Sequence, residues 1–278
     1  MTNITISENC IKCCKCVEIC PSVIFSKNSI NNSIEVNNPE NCIGCSHCIG
    51  VCPQSAIIHS KFPANKIVSI NFDKYPSPEQ MMEIIRGRRS NRSFSKTPIN
   101  QKNLDLILEA ARYAPTATNS RKVGWKLITK PEEIKTISEF TISVFAKIAK
   151  IIDNPLIRPI LKPFMKTAYR YLPTFYRLVD EFNKGNDLVL RGATAVILFY
   201  TPKSSMFGMQ DANLSYQNAS LMAESLGISQ FYTGFVYSAI KQDKQKTLNK
   251  LLSIEGNIYA GMALGIPKYK ITKTDNKQ

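Results

Sequence analysis

Cys10-Ile11-Lys12-Cys13-Cys14-Lys15-Cys16-Val17-Glu18-Ile19-Cys20-Pro21 and Cys42-Ile43-Gly44-Cys45-Ser46-His47-Cys48-Ile49-Gly50-Val51-Cys52-Pro53 share one spacing, Cys-x2-Cys-x2-Cys-x3-Cys-Pro. This is the spacing of the bacterial [4Fe-4S] run, in which the fourth cysteine ligates the other cluster of a two-cluster module. One cluster is therefore expected on Cys10, Cys13, Cys16 and Cys52, and the other on Cys42, Cys45, Cys48 and Cys20. Three close thiolates wrap one cubane on a tight loop. The distant fourth locks together two halves that are too small to hold a sufficient core. A zinc site is the competing reading, but zinc sites use four-cysteine groups without the third closely spaced ligand or the terminal proline. Gly44 is expected to relieve crowding where the second loop passes its cluster.

All nine cysteines of the 278-residue chain fall between Cys10 and Cys52, which is not the distribution of a disulfide framework. Cys14 stands outside the ligand spacing, either as a small packing side chain or as an alternative ligand or redox-active thiol. His47 lies between Cys45 and Cys48, where it either tunes a cluster potential through a hydrogen bond or faces solvent. His59 carries no assignment. The opening MTNITISENC has neither a basic nor an apolar leader pattern, and no uncharged apolar run approaches the ~18 residues of a membrane span. A cytoplasmic protein with reduced thiols and no membrane span is expected.

The chain divides into a cysteine module at 1–60, a proline-bearing linker at 61–78 and a larger domain at 79–278. The larger domain opens with a helix capped by Ser77, with Pro78 at its first position, Gln80 completing a capping box and Gly87 at its end. A second helix over 100–114 sets Leu104, Ile107, Leu108 and Ala111 on one face, with Asn100 as cap and Pro115 as stop. Strands are expected at 125–129, 193–201, 228–232 and 257–264, with a helix over 211–226 closed by Gly227. The apolar run ATAVILFYT at 193–201 has the composition of a strand buried on both faces. Strands separated by helices give an α+β domain, a central mixed sheet flanked by helices.

Arg88-Arg89-Ser90-Asn91-Arg92-Ser93-Phe94 puts three guanidinium groups and a hydroxyl within five residues, a set that suits a phosphate and an electron-rich ring. With Ala114-Pro115-Thr116-Ala117-Thr118-Asn119-Ser120 and Trp125 behind it, the segment resembles the opening of the nitroreductase family. The resemblance continues through Leu190-Arg191-Gly192-Ala193, Gln217-Asn218, Thr233-Gly234-Phe235 and Ala263-Leu264-Gly265-Ile266-Pro267, covering about 80–270. With the cysteine module in front, the whole chain looks like a ferredoxin-nitroreductase fusion. That resemblance implies a homodimer with FMN sites built from both chains. It also implies that Arg88 and Ser90, with Arg89 alongside, hold the FMN phosphate, and that Arg92 reaches the pyrimidine end of the ring. By the same resemblance, Pro115, Thr116 and Ala117 are expected from the partner subunit with Asn119 nearby, Thr233 and Gly234 are expected to face the ring, and Lys270 to complete the phosphate site, with Lys273 in reserve. Arg121 and Lys122 stand where the family has Gln-Pro, and Thr194 where it commonly has Pro. A cation at Arg121 close to the flavin would raise its two-electron potential, unless the side chain points to solvent.

Residues 140–186 form a basic and aromatic insert that reads as a lid over the flavin pocket and dimer interface, with Tyr169, Tyr171, Phe175 and Tyr176 as candidate pocket walls. The formal charge of +15 falls to about +9 once eight thiolates, two oxidised cores and an FMN phosphate are counted. That excess suits an acidic redox partner such as ferredoxin or flavodoxin better than nucleic acid. NAD(P)H can dock over a flavin, although no dinucleotide-binding glycine fingerprint is present. The function implied is electron delivery from two [4Fe-4S] clusters to FMN and on to a small planar electron-poor acceptor, such as a nitroaromatic, a quinone or an activated C=C compound. The rival reading is a non-catalytic electron carrier or redox sensor. The natural acceptor and donor are not legible in the sequence.

Overall fold

The computed structural model describes residues 2–156 and 158–275. The chain separates into two compact units, Met1–Tyr75 with Ala117–Ser120, and Pro76–Thr116 with Arg121–Gln278. The stretch expected as a linker up to 78 therefore belongs to the first unit as far as Tyr75, and the short segment 117–120 joins that unit too.

The first unit is two similar halves. β1 (Ile4–Ile6) pairs antiparallel with β4 (Ile57–His59), and β2 (Phe25–Lys27) with β3 (Ile34–Val36). The short helices α1 (Lys15–Ile19) and α2 (His47–Gly50) each carry one motif cysteine into the core, Cys16 and Cys48. The sequence repeat is matched in the backbone at a constant offset of 32 residues. Lys12 and Gly44 have φ 57° and 64°, Cys14 and Ser46 have 62° and 63°, and Val23 and Ser55 have 50° and 49°. Gly44 thus supplies a left-handed turn. An added Cβ there would meet Lys61 Cδ at 3.4 Å.

The second unit is a sheet sandwiched between helices. α3 (Pro78–Gly87) starts with the expected capping box, Ser77 accepting from Gln80 N–H and Gln80 reaching back to Ser77 N–H. α4 (Gln101–Arg112) is capped by Asn100 and buries Leu104, Ile107 and Ala111. β5 (Gly124–Ile128), β6 (Ala195–Thr201), β7 (Ser229–Tyr232) and β8 (Asn257–Gly265) form one sheet in the order β5-β6-β8-β7. All of its named pairings are antiparallel; its mixed character comes from an isolated parallel bridge between Ser90 and Gln230.

The period of two along a strand divides β6 between two cores. Val196 and Leu198 pack with α5 (Pro131–Ile152), α7 (Lys166–Asn183) and α9 (Gly234–Gln242). Ala195, Ile197 and Phe199 pack with α4 and α8 (Gly208–Ser225). The expected insert is thus a pair of long helices, α5 and α7, with the short α6 (Arg158–Leu161) between them. α10 (Thr247–Leu251) precedes β8. No helix among the described residues is long and apolar enough to cross a membrane.

Candidate functional site

In the first unit, Cys20, Cys42, Cys45 and Cys48 line one cavity together with Ile24, Phe25 and His59. Burial pushes the Cys48 thiol up to about 11; the Ile49 N–H opposes this, and the neighbouring Cys45, Cys42 and Cys20 push it further up. Cys16 is raised by burial in the same way, with Cys10 and Cys13 adding to the shift and the N–H groups of Cys16 and Val17 opposing it. Thiolates grouped like this need cationic neutralisation, which iron supplies. Among the described residues no three His, Cys, Asp or Glu side chains converge on a single ion. The four cysteines instead line one shared cavity, as ligands of a single cluster must.

Backbone donors point at the sulfurs. Lys12 N–H donates to Cys10 Sγ and Gly44 N–H to Cys42 Sγ, both at 3.4 Å, and Ala56 N–H donates to Cys52 Sγ at 3.2 Å. The Cys14 thiol instead donates to Lys12 O at 3.6 Å, and its counterpart in the second half is Ser46. Cys14 therefore occupies a helix-entry position that does not require sulfur. His47 is exposed. His59, which the sequence left without a role, is 3% exposed with its Nε2 3.4 Å from Cys42 Sγ. Burial lowers its pKa, and the nearby Lys61 lowers it further.

Asn119 and Ala117, expected beside the flavin, group with this first unit. Asn119 Nδ2 donates to Ile43 O at 3.2 Å and Gly44 O at 2.5 Å, holding the loop between Cys42 and Cys45. Left-handed backbone at Thr118, Asn119 and Arg121 turns the chain there.

The second unit contains a cavity of about 440 Å³ lined by Arg92, Arg191, Phe231, Gly234 and Phe235, with Tyr171 and Phe175 from α7. Arg92 lies over the Phe231 ring, 5.3 Å from its centroid, and donates to Ser90 O at 3.1 Å. Burial depresses the Arg191 pKa, the like charges of Arg92 and Arg177 depress it further, and Asp187 opposes. The cavity is thus cationic with aromatic walls. α9 begins at Gly234 with no side-chain cap from Thr233, leaving its first N–H groups and the positive end of its dipole at the cavity. Thr233 is 2% exposed, and its Oγ1 has no hydrogen-bond partner among the described residues.

Tyr169 and Tyr176, expected as pocket walls, are placed elsewhere. Tyr169 Oη donates to Ile152 O at 2.5 Å and Tyr176 Oη to Asp153 Oδ2 at 2.8 Å. Helical periodicity explains the exchange: 171 and 175 are four apart on one face, whereas 169 and 176 are seven apart on another.

The basic residues expected at a phosphate lie beside a second cavity of about 500 Å³ lined by Gly87, Arg89, Asn91, Glu224 and Lys270. Glu224, missed in the sequence, has its pKa raised by burial, with Arg88 and Lys270 pulling it down. Arg89 Nη1 donates to Thr274 Oγ1 at 2.9 Å and pairs with Asp275 at 3.6 Å. Ser90 is held by its bridge to Gln230. Pro115 is exposed, and Thr116 Oγ1 accepts from Arg121 N–H at 3.0 Å, leaving the Arg121 side chain exposed.

Residues 85–266 match the description "Nitroreductase family". The chain belongs to the nitroreductase family. Ahead of the nitroreductase domain, residues 9–57 match a 4Fe-4S dicluster domain, so the chain is a ferredoxin-nitroreductase fusion. An "FMN reductase [NAD(P)H]" of Bacillus subtilis is 25% identical over 200 residues, 69% of each chain. Two solved structures share the fold. A nitroreductase with bound FMN from Bacteroides fragilis aligns with a TM-score of 0.55 at 18% identity, over 71% of this chain and 95% of its own. One from Desulfitobacterium hafniense, also with bound FMN, aligns at 0.54 and 17%, over 71% and 94%. Both alignments fit a nitroreductase domain that carries an additional N-terminal unit.

Proposed function

We propose that this nitroreductase-family protein is an FMN oxidoreductase supplied with electrons by its own dicluster domain and acting on an electron-poor planar acceptor, such as a nitroaromatic, a quinone or an activated C=C compound. Two [4Fe-4S] clusters are assigned to Cys10, Cys13, Cys16 and Cys52, and to Cys42, Cys45, Cys48 and Cys20. The observation that carries the flavin reading is the cavity flanked by Arg92 over Phe231 and by the uncapped start of α9 at Gly234. A fixed cation and a helix N-terminus at one aromatic-walled cavity favour an electron-rich ring and the negative charge it gains on reduction.

FMN, when bound, supplies hydride or single-electron transfer, and the clusters supply single electrons. The chain's own residues bind, orient and exclude water. Arg92 would balance charge on the flavin ring, the first N–H groups of α9 would donate to it, and Phe145, Phe175, Phe231 and Phe235 would keep the cavity dry. Arg88, Arg89, Ser90 and Lys270 would hold the phosphate, with Glu224 orienting Arg88 and Lys270. Residues 79–278 contain neither His nor Cys, so protons come from solvent or a hydroxyl such as that of Thr233. A second copy of the chain covers α3, which is amphipathic yet buries none of its residues and exposes Met81, Met82 and Ile85. Pro115, Thr116 and Ala117 of the partner subunit then close the flavin site.

The test is anaerobic purification with flavin, iron and sulfide assays, followed by turnover of several nitroaromatics and quinones. Dithionite-reduced protein, reduced ferredoxin and NAD(P)H are compared as donors. The expected result is about one FMN per chain with steady turnover. Flavin bound without turnover of any acceptor would favour the carrier or sensor reading.

A further inference from the structure

The two halves of the dicluster domain are alike in backbone but not in what reaches their first cysteine. Cys10 Sγ and Cys42 Sγ each receive the N–H of the residue two positions on, at 3.4 Å in both halves. Cys42 Sγ has a further neighbour, the His59 ring, with Nε2 at 3.4 Å. The position equivalent to His59, seven residues after the last cysteine of its run, is Lys27 in the first half, and Lys27 is exposed.

The tautomer of His59 follows from geometry. Lys61 N–H, which can only donate, points at Nδ1 at 3.1 Å, so Nδ1 is the acceptor and carries no proton. The ring proton is then on Nε2, and Nε2–H donates to the Cys42 sulfur. The edge-to-face contact with Phe62, 4.8 Å between centroids, fixes the ring plane.

We propose that His59 is a positioning residue that acts through Cys42 to raise the reduction potential of the cluster on Cys42, Cys45, Cys48 and Cys20, offsetting the N–H that Cys52, a ligand of the other cluster, receives from Ala56; this rests on the two-cluster reading above. A hydrogen bond to a ligand sulfur withdraws electron density and stabilises the more negative, reduced core. With dithionite as donor, each cluster would take up one electron, its core passing from 2+ to 1+.

The experiment is an anaerobic redox titration followed by electron paramagnetic resonance on the full chain, comparing wild type, His59→Leu and His59→Gln, with iron counted in each. Wild type is expected to hold about eight irons and to show two resolved potentials. His59→Leu should lower one of them, changing the reduced-to-oxidised ratio of that cluster about tenfold at a fixed poise, roughly 59 mV for one electron. His59→Gln, which keeps an N–H donor, should restore part of the shift, and the other potential should stay put. Fully loaded His59→Leu with both potentials unchanged would overturn the inference, whereas wild type with fewer than two clusters would overturn the two-cluster reading itself. Should His59→Leu load poorly, ¹⁵N-histidine labelling of His47→Gln protein leaves His59 as the sole labelled ring. A nitrogen coupling to the reduced cluster supports the hydrogen bond, and a spectrum without one rejects it.

Discussion

The Arg92 guanidinium stacks over Phe231, with its central carbon 5.3 Å from the ring centroid, so the cation of the Arg-Arg-Ser-x-Arg segment is held at the cavity by an aromatic residue of β7. Arg92 also repels Arg191 across the same cavity. Arg92→Ala should therefore weaken FMN binding by about 1–2 kcal/mol, the scale of one partly exposed cation on an electron-rich ring. Arg92→Lys should fall between the two, since it keeps the charge but loses the planar stack. Flavin fluorescence titration reads both affinities; an affinity unchanged in Arg92→Ala would remove this residue from the ring site.

Gly261 is hemmed in by the site. An added Cβ would collide with Thr233 Oγ1 and approach Leu198 Cδ2 at 3.0 Å. Gly261→Ala is expected to destabilise the nitroreductase domain by about 1–3 kcal/mol through overpacking, and to displace Thr233 from the start of α9. Denaturant unfolding and flavin content measured on the same preparation should fall together.

Iron content should separate the nine cysteines into two groups. Cys20→Ser or Cys52→Ser should lose about one cubane while FMN stays bound. Cys14→Ser should keep the full complement, because its thiol donates to Lys12 O and Ser46 fills the equivalent place. Iron loss in Cys14→Ser equal to that in Cys20→Ser would contradict the assignment.

Tyr216 gives an alkaline limit to stability. Its hydroxyl donates to Gln230 Oε1 at 2.7 Å inside the core, and burial pushes its pKa up to about 12, with neighbouring Tyr232 adding to the shift and Arg88 opposing it. The unfolded chain releases this proton near pH 10 and the folded one near 12, so the stabilisation is complete below about pH 10 and lost as pH rises toward 12. Tyr216→Phe should cost about 1–3 kcal/mol at neutral pH, because Gln230 Oε1 loses its donor in the core. It should also flatten part of the decline above pH 10, as read by denaturant midpoints across pH. An unaltered alkaline slope would place the titration elsewhere.

Local chemistry made much of the molecule readable in one dimension. The cysteine spacing, the Ser77 capping box, the Asn100 cap and the doubly buried run at 195–201 each depend on residues within a few positions of one another. The 32-residue repeat of left-handed φ values followed the repeat of the motif. Other features depend on separations that sequence does not encode. His59 meets Cys42 across 17 positions through the pairing of β4 with β1 and the turn at Lys61. Asn119 meets the Cys42–Cys45 loop across 75 positions, so a segment whose pattern pointed to flavin also holds a cluster loop. Glu224 reaches Arg88 and Lys270 because α8 packs beside α3. Tyr171 and Phe175 displaced Tyr169 and Tyr176 from the cavity because composition named the aromatic residues of α7, but only packing chose the face. Cysteine spacing and cap residues specify which side chains can ligate iron and where the helices start. Tertiary structure alone decided which polar groups face them, because hydrogen bonds and charge pairs act over a few ångströms of space whatever their distance along the chain.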